Sequence, residues 1–136
     1  MTIKVVCAVG VDIVDIDRFA AALRRWGQRF TQRILTEKEI AYCEAKANGI
    51  QSMAARFAAK EALLKCLPSE DQHGFQWIEM EVQNDQNGKP VVFLTGNLAR
   101  LLLHKEIHIS LSHTKTSALA VVILESKSEW INSVKG

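Results

Sequence analysis

Val5-Val6-Cys7-Ala8-Val9-Gly10-Val11-Asp12-Ile13-Val14-Asp15-Ile16-Asp17 is the stretch that decides how this chain is read. Residues 5–14 are almost continuously apolar and rich in Val and Ile, the pattern of a strand buried on both faces. Gly10 and Asp12 interrupt the run. Asp15 and Asp17 stand just before a helical pattern, and either can cap its first turn. The spacing predicts a helix over about 18–26, stopped by Gly27.

Outward from that stretch the pattern is helical, then mostly extended. Thr36-Glu37-Lys38-Glu39 has the form of a capping box and predicts a helix to about Lys46. Asn48-Gly49 ends it. A third helix is expected over 51–67, with Pro68 just beyond. Residues 75–82 and 90–94 read as strands joined by the turn Asn84-Asp85-Gln86-Asn87-Gly88. A short helix over 97–104 and strands over 107–111 and 118–124 follow. The expected order is β-ααα-ββ-α-ββ, an α+β fold with a largely antiparallel sheet. Residues 1–125 form one domain in this reading, and 126–136 a polar tail that frays.

Composition narrows the function classes. The 136 residues carry 17 basic and 15 acidic side chains, a formal net charge of +2. That is too mild to argue for nucleic acid. The N-terminal apolar run is too short for a membrane span and leads straight into Asp12, unlike a signal peptide. Three cysteines, Cys7, Cys43 and Cys66, have no metal-ligand spacing and suit a reducing, cytoplasmic compartment.

Two acids stand out. Asp12 lies among apolar positions, where a carboxylate is costly without a cation or hydrogen bonds; alternatively it faces water at a strand end. Glu61 lies in Met53-Ala54-Ala55-Arg56-Phe57-Ala58-Ala59-Lys60-Glu61-Ala62-Leu63-Leu64-Lys65 and shares a helix face with Phe57 and Leu64. With Lys65 it also forms an ordinary i,i+4 pair, worth about 0.2–0.5 kcal/mol. Together the acids suit Mg²⁺, which takes one or two carboxylates and fills its shell with waters and phosphate oxygens. Lys60 and Lys65 beside them suit a pyrophosphate.

Four ordered motifs then carry a resemblance. Residues 10–19, Gly-Val-Asp-Ile-Val-Asp-Ile-Asp-Arg-Phe, resemble the G-x-D-I-x-x-x-x-R opening of the holo-acyl-carrier-protein synthases, short trimeric members of the 4′-phosphopantetheinyl transferases. Residues 56–65 resemble their R-F-x-x-K-E-A-x-x-K helix. Asn84 through Pro90 and Ser110-Leu111-Ser112-His113-Thr114 match in the same order, so the similarity spans about residues 5–125.

The resemblance implies Mg²⁺-dependent transfer of 4′-phosphopantetheine from coenzyme A to a serine of an acidic acyl carrier protein. Adenosine 3′,5′-bisphosphate would leave, in the service of fatty acid biosynthesis. It makes Asp12 and Glu61 the metal acids and Lys65 the lysine beside the transferred phosphate. Lys60, Lys89, Pro90, Ser112 and His113 become coenzyme A contacts. Glu61, or a water on the metal, would take the serine proton. Arg18, Phe19, Arg24 and Arg25 would dock the carrier. A homotrimer is implied, with each site between neighbouring chains and Asp12 and Glu61 free to come from different subunits.

One segment departs from the family. Where a glycine-rich G-T-G run is usual, this chain reads Cys66-Leu67-Pro68-Ser69-Glu70-Asp71-Gln72-His73-Gly74. That departure keeps two other readings open: a non-catalytic carrier-binding paralogue, and another Mg²⁺-dependent phosphotransferase. Four retained charged residues, Asp12, Lys60, Glu61 and Lys65, count against the first. The Arg18, Arg24 and Arg25 cluster counts against a small-molecule substrate.

Overall fold

The computed structural model describes residues 2–129. Strand β1 (Thr2–Asp15) leads directly into helix α1 (Ile16–Trp26). Asp15 caps that helix, its Oδ1 accepting the Arg18 N–H at 3.1 Å, and Gly27 ends it at φ 58°. Helices α2 (Gln28–Ile34), α3 (Glu37–Glu44) and α4 (Gly49–Cys66) follow. Then come β2 (Met80–Asn84), β3 (Pro90–Leu94), the short α5 (Gly96–Leu101), β4 (Lys105–His113) and β5 (Ser117–Glu129).

The α+β class and the antiparallel pairing agree with the sequence reading. β1, β5 and β4 form one sheet in that order, while β2 and β3 form a separate ribbon. Every pairing is antiparallel. α4 is the central element. Ala58, Ala59, Ala62 and Leu63 pack it on Ala120, Val122 and Leu124 of β5, while Ala54, Ala55 and Met53 pack against Ile16 and Phe19. Small residues on α4 let the helix lie close to the sheet.

Three expectations are corrected. The run of helices contains α2, which was not expected between Gly27 and Thr36. At seven residues it is too short to display a period, although Phe30 and Ile34 at i,i+4 mark its inward face. Second, β1 is an edge strand rather than a strand buried on both faces. Gly10, Asp12 and Val14 point toward α4, but Val9 and Ile13 on the other face are 58% and 66% exposed within one chain. Third, the segment expected to fray from 126 stays in β5 to Glu129, whose backbone pairs with Thr2. The remainder of that tail, 130–136, lies outside the described residues. Among the described residues no helix is long and apolar enough to cross a membrane.

The crossing of β1 by α4 depends on one missing side chain. A Cβ built on Gly10 would overlap the Ala62 carbonyl and come within 2.9 Å of Cys66 Sγ. The overlap with Ala62 is backbone on backbone, which no side-chain rotation can relieve. Gly10→Ala should therefore cost about 1–3 kcal/mol or more, the usual cost of overpacking. We expect thermal melts to shift down by about 5 °C or more; an unchanged midpoint would show that the crossing tolerates a methyl group.

Candidate active site

Asp12 and Lys65 meet where α4 crosses β1. Lys65 Nζ donates to Asp12 Oδ1 at 2.9 Å and to the Val11 carbonyl at 2.9 Å. The Asp12 side chain is largely covered, 17% exposed, while that of Lys65 is 54% exposed. Glu61, one turn before Lys65, completes the group. Partial burial pushes its carboxyl above the usual range, the nearby Asp12 charge pushes it further, and Lys65 pulls it back. The two acids therefore come close enough to interact within one chain.

Such a cluster fits a hard divalent cation. It offers two carboxylates, one of them energetically short of positive charge, beside a mobile lysine. Carboxylate oxygens are hard donors, which favour Mg²⁺ over softer ions.

Lys60 does not join it. Its ammonium donates to Glu39 Oε1 and to the Ile34 carbonyl, both at 2.7 Å, and the residue is 2% exposed. Burial pushes its pKa below the usual lysine range, against the pull of Glu39. The expected phosphate contact is thus replaced by a buried ion pair, because Lys60 faces α2 and α3 rather than the β1 crossing.

A second feature lies at the N-terminal half of α4. A cavity of about 250 Å³ is lined by Tyr42, Lys46, Asn48, Arg56, Pro90 and His113 among others. Arg56 is the anchor. It is 3% exposed, donates from Nη2 to Asn84 Oδ1 at 2.6 Å, and stacks over the Tyr42 ring at 4.5 Å. Its Nε is buried without a hydrogen-bond partner, an expensive donor for a protein to leave unpaired. Lys46 lies 4.8 Å from the centre of the same ring. Arg56 was quoted in the sequence only as a motif letter, and Tyr42 and Lys46 were missed. Their signal is present only in three dimensions, since α3, α4 and the β2–β3 turn bring them together.

Of the expected coenzyme A contacts, Pro90 and His113 line this cavity, and His113 Nε2 lies 3.5 Å from Asn48 Nδ2. Lys89 sits beside it in the exposed turn, its N–H held by Asp85 Oδ1 at 2.9 Å. Ser112 does not line it: strand alternation turns it to the opposite face from Leu111 and His113. The departing loop forms a 3-10 turn at Ser69–Asp71, and Glu70 and Asp71 line a different cavity of about 320 Å³ with His73 and Leu98.

On α1, Arg18, Arg24 and Arg25 are exposed. Phe19 is not available for docking. It is 4% exposed and packs in the core, with its ring 5.3 Å from that of Phe30 and 6.0 Å from that of Phe57. The exposed aromatic is Trp26, which shares a groove with Arg29, Phe30, Arg33, Phe57 and Trp77. One more group of ligand-type side chains, Glu106, His108 and Glu125, comes within 4.8 Å on β4 and β5. Lys4 already lies 3.1 Å from Glu106, and within the group His108 Nε2 lies 2.5 Å from Glu125 Oε1.

A strand and a helix thus bring together two acids and a lysine, and a basic cavity lies on another face of the same helix. Comparison gives the chain a lineage. The family model of the 4′-phosphopantetheinyl transferase superfamily matches residues 8–131. Holo-[acyl-carrier-protein] synthase of Koribacter versatilis is 41% identical over 123 residues, 88% of this chain and 98% of the relative. That of Solibacter usitatus is 43% identical over 124 residues, 89% and 99% respectively. A solved holo-(acyl-carrier-protein) synthase from Bacillus anthracis, in complex with CoA (3′,5′-ADP), superposes with TM-score 0.71 at 31% identity, covering 89% of this chain and 97% of that one. The Neisseria meningitidis structure gives 0.80 at 28%, covering 90% and 100%. The chain belongs to the holo-[acyl-carrier-protein] synthase family of 4′-phosphopantetheinyl transferases and is an enzyme of that class.

The raised Glu61 carboxyl makes a prediction. A carboxyl that binds its proton more tightly folded than unfolded destabilises the fold once both states are ionised, and this penalty fades as pH falls through the folded pKa. In EDTA at pH 7–8, Glu61→Gln should therefore melt above the unsubstituted protein. The gap should close as pH is lowered through the raised pKa of Glu61. A Glu61→Gln protein that melts lower at pH 7–8 would contradict the geometry.

Proposed function

We propose that this protein transfers 4′-phosphopantetheine from coenzyme A to a serine of an apo acyl carrier protein, with Mg²⁺ held by Asp12 and Glu61. Adenosine 3′,5′-bisphosphate is the leaving group. The observation that carries this reading is the Asp12–Glu61–Lys65 cluster at the β1–α4 crossing, where burial and then the Asp12 charge raise the Glu61 carboxyl. The family and the CoA-bound Bacillus anthracis relative supply the substrate class.

When bound, the ion would neutralise the pyrophosphate and the charge that develops on its oxygens. The chain's own groups do the rest. Lys65, exposed and held to Asp12 in the free chain, can turn its ammonium onto the transferring phosphoryl group. Glu61, or a water on the ion, would receive the serine proton. The serine oxygen then bonds to the pantetheine-side phosphorus as the bridging P–O bond breaks. The Arg56–Lys46–His113 cavity suits the 3′-phosphate end of coenzyme A, where the Arg56 Nε–H would gain an acceptor.

Two parts of this site face apart in a single chain. At about 100° per residue, Arg56 and Glu61 point about 140° apart around α4, and Arg56 and Lys65 about 180°. A ligand touching both sets would need two copies of the chain. The exposed apolar face of β1, Val9, Val11 and Ile13, gives a second copy something to cover. We therefore read the protein as a homo-oligomer, a trimer by its resemblance, with each site shared between copies. Arg18, Arg24 and Arg25, with the Trp26–Arg29–Arg33 groove beyond them, suit an acidic amphipathic carrier helix. Three free thiols suit a reducing cytoplasm.

The test incubates the protein with coenzyme A, Mg²⁺ and a panel of apo carrier proteins, and follows phosphopantetheine addition to serine by mass spectrometry. Addition that EDTA abolishes is expected; no addition to any carrier by folded protein would sink the reading. Glu61→Gln and Arg56→Ala should each lose about 100-fold or more. Co-expressed in one oligomer, the two variants should regain activity, since some sites then draw each intact half from a different chain. No regain would place the whole site within one copy. Arg25→Glu should raise the carrier KM about tenfold and leave the coenzyme A KM unchanged.

A further inference from the structure

Lys60 and Glu39 are fully buried, and the phosphoryl-transfer chemistry uses neither. The contacts they make are unusually well distributed. Glu39 Oε1 accepts the Thr36 N–H at 2.9 Å and the Lys60 ammonium at 2.7 Å, while Oε2 accepts the Val82 N–H at 2.9 Å. The Thr36 hydroxyl in turn accepts the Glu39 N–H at 3.2 Å. Lys60 also donates to the carbonyl of Ile34, the last residue of α2. One ion pair thus joins the end of α2, the start of α3, strand β2 and the middle of α4.

The place of that junction on α4 matters. Lys60 is the residue before Glu61. On another side of the same helix, Gly10 meets the Ala62 carbonyl. The Gly10 contact fixes how closely α4 approaches β1, and rotation about the helix axis is restrained by side chains: core packing, the Arg56–Asn84 bond, the Lys65 bonds to β1 and the Lys60 bonds on the opposite side. The Lys60 bonds are directional and help to hold that rotation. Turning α4 by about 20° would sweep a carboxylate lying about 6 Å from the axis through about 2 Å. A displacement of that size is enough to disable a catalytic group.

We propose that the buried Lys60–Glu39 pair is a positioning device that sets the rotation of α4 and so presents Glu61 and Lys65 to Asp12. Lys60 and Glu39 are positioning residues, not substrate contacts. The inference rests on the metal reading of Asp12 and Glu61. A buried ion pair can often be replaced by neutral groups of similar volume with little loss of stability, whereas removing one partner is costly. Stability and positioning can therefore be separated.

The experiment compares Lys60→Met, Glu39→Gln and the Lys60→Met/Glu39→Gln double variant. It reads melting temperature, Mn²⁺ affinity by electron paramagnetic resonance, and metal-free coenzyme A affinity by calorimetry. Lys60→Met should melt well below the unsubstituted protein, and the double variant should recover most of that loss. Mn²⁺ affinity in the double variant should stay lower by about tenfold or more, the usual effect of losing a group that orients a ligand. Metal-free coenzyme A affinity should not change.

A double variant that recovers both melting temperature and Mn²⁺ affinity would overturn the proposal, leaving the pair a folding element alone. Lost coenzyme A affinity with intact Mn²⁺ affinity would also overturn it, by making Lys60 a phosphate contact. If the double variant does not melt cooperatively, Glu39→Gln carries the same comparison. Glu61→Gln serves as the control: unchanged Mn²⁺ affinity there would sink the metal reading itself. The rotation of α4 would then be read from nuclear Overhauser contacts between Gly10 and Ala62–Cys66, which the Lys60 variants should weaken and an inert pair should leave intact.

Discussion

At Gly10 the backbone of β1 touches the backbone of α4, with only a hydrogen where any other residue would place a methyl or more. The rest of the site follows from that contact. Two residues along β1, Asp12 leaves the strand on the side facing α4. One helical turn of α4 then sets Glu61 and Lys65 against it. The small residues Ala58, Ala59 and Ala62 keep the helix low along the sheet. Without the close approach, two carboxylates and a lysine from segments some fifty residues apart in sequence would not share one electrostatic environment. With it, the acids hold each other in tension, and a divalent cation is the natural relief.

The helix that brings the acids together also keeps the two parts of the site apart. Arg56 and Lys46 gather a basic cavity against the β2–β3 turn, on a face of α4 turned away from Glu61. An apolar sheet face is left uncovered along β1. These features have a common explanation in an assembly where one copy's cavity meets another copy's acids. A fold this small has limited capacity to bury both a core and a substrate, and association supplies the missing surface.

Much of the candidate site was legible because its residues stand out from their local pattern. Asp12 interrupts an apolar strand, and Glu61 and Lys65 follow one another at i,i+4, so the three could be named from spacing and motif order. Lys60 was misread for the same reason: a lysine beside a candidate metal acid looks like part of the chemistry. Its partner Glu39 lies 21 residues away, and only the fold shows that the two are sealed together. Phe19 failed similarly, since helix periodicity says which residues share a face but not which face is covered. Ser112 fell to the alternation of β4 beside His113. The double-sided apolar pattern of β1 was real, yet one side is exposed in the single chain, and sequence alone does not tell a buried face from an exposed one. The expected tail begins with the polar run Ser126-Lys127-Ser128-Glu129, but backbone pairing with β1 carries β5 on to Glu129.

The central claim is that a divalent ion binds where α4 crosses β1. Replacing Mg²⁺ with Fe²⁺ and generating hydroxyl radicals with ascorbate and peroxide would cut the chain beside the bound ion. The account predicts paired cuts near Asp12 in β1 and Glu61 in α4, both suppressed by excess Mg²⁺ and absent from Glu61→Gln. Cuts confined to the Glu106, His108 and Glu125 group, about 16 Å along β5 from the residue paired with Asp12, would contradict it.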